Sequence, residues 1–189
     1  MDSTQKDKQS KVYSEEELIN YLLSATEDSR RDFSLFAIRE MKHYHSPRIV
    51  DRLVKIIQED PEPLKKVEAI RTISVKKPNQ YIKQIVLDEL RSEDERVRSA
   101  AAELLKFYND SITNDLHSLL DVDLPEYTKT KIIWLLGHVG NQSSIDILTK
   151  KSFVEAEEFK DSVKDTINSI KQRFVKLSID DIRKKSEEE

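Results

Sequence analysis

Apolar residues recur along this chain at helical spacing, and the pattern itself recurs. The clearest copy runs Val97-Arg98-Ser99-Ala100-Ala101-Ala102-Glu103-Leu104-Leu105-Lys106-Phe107-Tyr108. Stepping 31 residues on, from Val97 to Thr128 and again to Phe159, meets comparable segments, as does stepping back 33 to Leu64 and 31 more to Phe33. Aligned, the copies form four columns. The first holds Phe33, Leu64, Val97, Thr128 and Phe159, and the second Ala37, Glu68, Ala101, Ile132 and Val163. The third holds Met41, Thr72, Leu105, Leu136 and Ile167, and the fourth Tyr44, Val75, Tyr108, Val139 and Ile170. Offsets of 4, 8 and 11 residues trace one face of an α-helix. Glu68 and Thr72 fit worst. Ala69 and Ile73 stand beside them, which predicts a one-residue shift in that copy.

Between these helices lie shorter apolar-periodic segments, at 49–57, 81–90, 112–120 and 145–148. Each follows a break: Ser46-Pro47, Pro78-Asn79, Asn109-Asp110-Ser111 and Gly140-Asn141. Serine and proline suit helix starts, and glycine and asparagine suit the left-handed position after a helix end. At the front, Ser14 opens S-E-E-E with Glu17 three residues on, a capping box that predicts a helix at about 14–24. The chain therefore reads as all-α, about five antiparallel hairpins over 14–174, each needing a neighbour to cover its apolar face. Residues 1–12 are polar and aperiodic and are expected to be disordered. Residues 175–189 read as a charged C-terminal tail or a short capping helix starting at Ser178.

The stretch S-E-D-E-R-V-R-S-A-A-A-E-L-L resembles the short HEAT-like repeat of the kind found in phycobilisome lyase subunits, where an acidic turn precedes a V-R-x-x-A-A helix. Asp123 and Gly137 match two further positions of that repeat, and the similarity fades over about 27–174. The resemblance implies a right-handed α-α superhelix, an armadillo-like alpha solenoid, with the V-R-x-x-A-A helices lining its concave side. It also gives the basic residues after the first column (Lys65, Arg98, Lys129, Lys160) a setting, since Asp28, Asp60, Glu93, Asp123 and Glu155 lie in the preceding turns. A ladder of ion pairs between turns and helices is expected, with ligand binding as the alternative.

Composition narrows the function. Charged residues make up 36% and apolar ones 37%, which suits amphipathic helices with a solvated side. The net charge of −4 supplies no global field for nucleic acid or anionic lipid, so nucleic acid is disfavoured as a partner. No apolar run approaches the roughly 18 residues of a membrane span, and the amino-terminal stretch has no signal-like core, so a cytoplasmic protein is expected. With no cysteine, disulfides and thiolate chemistry drop out. Gly137 and Gly140 are the only glycines, too few for a P-loop or a dinucleotide fingerprint. Neither His43, His45, His117 nor His138 is followed by glutamate, unlike the His-Glu steps of the HEAT-repeat metal hydroxylases. No metal, cofactor, small-molecule ligand or catalytic constellation is expected.

One column departs from the pattern. Arg39, Ile70, Glu103, Trp134 and Asp165 follow the second core column by two residues, where the resemblance implies a concave, polar position. Trp134 is the sole tryptophan. In register, Tyr127, Trp134, His138 and Phe107 would form an aromatic patch there, with Arg39 and Arg96 as cationic anchors. Alternatively Trp134 turns inward, because Ile132, Ile133 and Leu135 make its helix apolar nearly all round. The expected function is a non-catalytic, protein-binding scaffold. The alternatives are an accessory subunit of a bilin lyase-like or chaperone-like factor, and nucleic-acid binding in the manner of HEAT-like DNA glycosylases.

Overall fold

The computed structural model describes residues 13–76, 79–152 and 157–187; residues 1–12 lie outside them. These residues are helical throughout, with no strand among them. In chain order they form α1 (Glu15–Ala25), α2 (Arg31–Glu40), α3 (Pro47–Glu59), α4 (Pro63–Ser74) and α5 (Gln80–Asp88). There follow α6 (Glu95–Leu105), α7 (Thr113–Leu120), α8 (Glu126–Val139), α9 (Gln142–Ser152) and α10 (Glu157–Glu187). Tight 3₁₀ turns extend α2, α5 and α6 at their C-terminal ends.

Local chemistry sets the starts. The Ser14 hydroxyl accepts from the Glu17 amide at 3.2 Å while the Glu17 carboxylate accepts from the Ser14 amide at 2.9 Å, completing the capping box of α1. Proline opens α3 and α4, where its missing N–H would have no partner anyway. The side chains of Asn79 and Asp94 cap α5 and α6.

Consecutive helices pack as pairs, α1 with α2, α3 with α4, α5 with α6, α7 with α8 and α9 with α10. Across the pairs α2, α4, α6, α8 and α10 each pack on the next, while α1 meets α3, α3 meets α5 and α7 meets α9. The core lies in these seams. Ala37, Met41, Val97, Ala101, Leu105, Ile132, Leu136, Val163 and Ile170 are all buried, each large aliphatic side chain contributing about 1.5–3 kcal/mol. In the second copy Ala69 and Ile73 are fully buried, Glu68 is partly exposed and Val75 is exposed, so the apolar face is displaced by one residue.

Two expectations are corrected. Gly140 closes α8 in an extended conformation (φ −65°, ψ 158°), not a left-handed one. The left-handed residue is Asn109, at φ 47°, where the chain turns from α6 into α7. Ser178 does not start a new helix, because α10 runs unbroken from Glu157 to Glu187.

The ladder of turn-to-helix ion pairs is kept at Lys65 and altered at Asp28 and Arg98. Lys65 does approach Asp60, at 3.8 Å, but Asp28 is held by Arg30 within its own turn, and Arg98 donates to the Ser92 and Glu93 carbonyls at 2.8 and 2.7 Å. Glu155 lies outside the described residues. Long cationic side chains instead reach back to the C-terminal carbonyls of the preceding helices. Lys65 binds Thr26 at the end of α1, Lys76 binds Lys42 and Tyr44 beyond α2, and Lys151 binds Leu120 at the end of α7. Arg173 gathers the carbonyls of Gly137, His138 and Gly140 at the end of α8. Unpaired carbonyls and the negative end of the helix dipole favour a cation there, by about 0.3–1 kcal/mol each. Among the described residues no helix is long and apolar enough to cross a membrane.

Candidate functional site

The outward face of the even-numbered helices carries one side chain per helix in a row: Arg39, Arg71, Glu103, Trp134 and Asp165, all exposed. Arg71 stands where the sequence columns place Ile70, which is fully buried; the shift in α4 accounts for the exchange. Arg39 and Arg71 both meet Glu68, at 3.0 and 3.4 Å.

Trp134 settles outward. Ile132, Ile133, Leu135 and Leu136 take the inward positions of α8, and the indole keeps 37% of its surface exposed. His138, one turn on, packs its ring against the indole at 4.2 Å between centroids. The His138 Nδ1–H donates to the Trp134 carbonyl at 3.0 Å, which fixes the orientation of the imidazole. Lys106 and Lys131 bring their ammonium groups to 5.2 and 5.5 Å from the indole centroid, within cation–π range. Lys131 also donates to Ser99 on α6, and Lys106 pairs with Glu103.

The six residues expected to form one patch divide among four settings. Trp134 and His138 line a groove of about 370 Å³ between α8 and α10, together with Thr130, Gly137, Asp165, Thr166 and Ser169. Arg96 and Phe107 line a second groove of about 370 Å³ between α4 and α6, with Ile70, Leu104 and Glu103. Phe107 is 74% exposed at its edge, and Arg96 is held by Asp94 at 2.6 Å. Tyr127 lies two turns before Trp134 and covers the Arg98 guanidinium, 4.2 Å away. Arg39 is a helix-to-helix ion pair with Glu68. Neighbouring helix axes stand about 8–10 Å apart, so side chains on successive helices open onto separate grooves.

The turns leading into α2 and α6 share a charged motif. Asp28 and Asp94 each accept from the amide and the guanidinium of the arginine two residues on, Arg30 and Arg96. Those bonds, the arginine side chain foremost, hold both carboxyls down at about 2.

Two polar pairs elsewhere are structural. His117 on α7 meets the Ser144 hydroxyl on α9 at 2.8 Å, and burial lowers the pKa of its imidazole. Ser144 is fully buried and accepts from the Asn141 amide at the start of α9, so no substrate can reach it. Lys83, buried in α5, joins Asp115 of α7 at 2.6 Å. Among the described residues no group of three or more histidine and acidic side chains could hold a metal ion. The chain matches no protein-family model and no curated protein.

The part of the site that sequence columns missed is the setting of Trp134. Lys131, three residues before it, was legible as a helical neighbour. Lys106 was not, because its approach to the indole is a contact between the end of α6 and α8 that the pattern of a single helix does not record.

Proposed function

We propose that this chain is a non-catalytic, protein-binding scaffold built as a HEAT-like solenoid, which presents the outward face of its even-numbered helices to another polypeptide. The observation that carries this reading is the sole tryptophan standing outward on α8, with lysines beside its ring and a groove on its α10 side. An indole of this kind supplies large contact area with few rotors to immobilise, the usual property of an interface anchor. The helix-to-helix succession α2, α4, α6, α8, α10 supports the solenoid, since each hairpin covers its neighbour. Paired arginines along the row (Arg39, Arg71) would set the register of a partner more than its affinity.

The test is capture of partners from a cell extract by the immobilised chain. Trp134→Ala should lose the specific partner, whereas Tyr81→Ala, an exposed aromatic on α5 outside this face, should retain it. Equal capture by the wild type and Trp134→Ala would remove the face from consideration.

A further inference from the structure

The groove between α8 and α10 is lined mainly by acceptors, with the Ser162 hydroxyl and the Trp134 Nε1–H as its donors. The Thr130 hydroxyl donates to the Glu126 carbonyl at 3.0 Å, Thr166 to Ile133 at 3.4 Å and Ser169 to Asp165 at 2.9 Å. A hydroxyl whose proton is so committed offers only lone pairs to the groove. The His138 ring uses its Nδ1–H on the Trp134 carbonyl, so Nε2 of the neutral imidazole is an acceptor. The Asp165 carboxylate has no hydrogen bond or ion pair among the described residues, and it too can only accept. Acceptors therefore predominate in the lining, and the α8 wall carries the Trp134–His138 pair, whose rings are inclined at 44°.

The geometry points to a site for a guanidinium group, an arginine side chain of a partner polypeptide, paired with Asp165 and lying along the Trp134–His138 wall. Guanidinium is planar and carries five N–H donors and no acceptor, the complement of this lining. Ammonium matches the charge but not the plane, and a carboxylate or phosphate would be repelled by Asp165, with only the Trp134 Nε1–H and the Ser162 hydroxyl to donate to it. Lys106 and Lys131 approach the indole without lining the groove, and their charge opposes a further cation. Glu103 offsets Lys106, and Asp165 supplies the local counter-charge.

Gly137 points the same way. A Cβ built there would meet Thr166 Cγ2 at 3.7 Å, ordinary contact, so packing does not require glycine at that position. A glycine inside a helix is destabilising relative to alanine, yet here the space a methyl could fill stays open to the groove.

This inference rests on the face described above as the binding surface, and names what that surface takes. The test titrates the full chain with Ac-Gly-Arg-Gly-amide and with its citrulline and glutamate counterparts at matched ionic strength, reading the fluorescence of Trp134, the sole tryptophan. The arginine peptide should bind about tenfold more tightly than the neutral citrulline peptide. Asp165→Asn should weaken the arginine peptide about fivefold and leave the citrulline peptide unchanged. Gly137→Ala should raise the melting temperature and weaken arginine binding, while Lys131→Gln should strengthen it about twofold. Equal responses to arginine and citrulline, a preference for glutamate, or no arginine response up to about 20 mM overturns the inference. If it is overturned while Trp134-dependent capture of a partner persists, the binding face stands and only its ligand chemistry is wrong; if that capture is absent too, the face itself is wrong.

Discussion

Gly140 sits where an added methyl group would run into the Leu136 carbonyl oxygen of its own helix and press on Ile170 and Ser144 at 3.0 Å. Gly140→Ala should therefore lower stability by about 1–3 kcal/mol in urea denaturation, the range of an overpacked site; an unchanged midpoint would mean the end of α8 can relax. Thr128 presents the opposite case. It is fully buried, and its hydroxyl has no hydrogen-bond partner. Thr128→Val keeps the branched shape and removes the unsatisfied group, so the variant should gain roughly 1 kcal/mol. A loss would reveal a partner such as ordered water. Asp28 and Asp94 act on pH. Their folded-state pKa of about 2 lies below the ordinary 3.8, so the unfolded chain binds more protons between those values. The stabilisation is fully present above pH 3.8 and is lost as pH falls through about 2. Asp28→Asn/Asp94→Asn should therefore narrow the gap between urea midpoints at about pH 4.5 and 2.5; an unaltered gap would contradict the assignment.

At the scale of the helix, the small residues of α6 have a mechanical consequence. Ala100, Ala101 and Ala102 are buried where α6 meets both α4 and α8. Ala101→Leu should destabilise by about 1–3 kcal/mol, seen as a lower thermal midpoint. An unchanged melting curve would place Ala101 outside the seam. Helices were the most legible level of this chain because a 3.6-residue period survives in any aliphatic pattern, and Ser14, Pro47 and Asn79 mark starts by chemistry that acts locally. The one-residue displacement in α4 was visible as Ala69 and Ile73 beside Glu68 and Thr72. The continuity of α10 was not. Ser178-Ile179-Asp180-Asp181 has the composition of a helix start, but none of these residues breaks a helix already under way.

Across the whole molecule, what the sequence concealed was the destination of its long side chains. Acidic residues before basic ones suggested ion pairs, but a lysine or arginine bound to backbone carbonyls leaves no trace in residue identity. The split of the expected aromatic patch has a similar cause, since columns record which face a residue occupies and not which groove between helices it opens on. Asp165 stood in the same column as Trp134 but acquired a meaning only when the groove lining was known. The far end of α10 gives a test at this scale. Its 31 residues, about 46 Å of helix, outrun the 14 of α8, and Phe174 and Val175 are exposed. Truncation after Lys176 should leave the melting temperature within about 2 °C, and trypsin should remove the same segment first. A fall of more than about 5 °C would show that the overhang is packed.

The back-reaching cations have a consequence for biosynthesis. Lys65, Lys76, Lys151 and Arg173 each bind carbonyls 31 to 39 residues earlier in the chain, although Lys83 and Thr113 reach forward. At 5–20 residues per second, a helix end that has left the ribosome waits roughly 2–8 s for the side chain that covers it. During translation the hairpins α1–α2 and α7–α8 are thus completed only by the hairpins made after them.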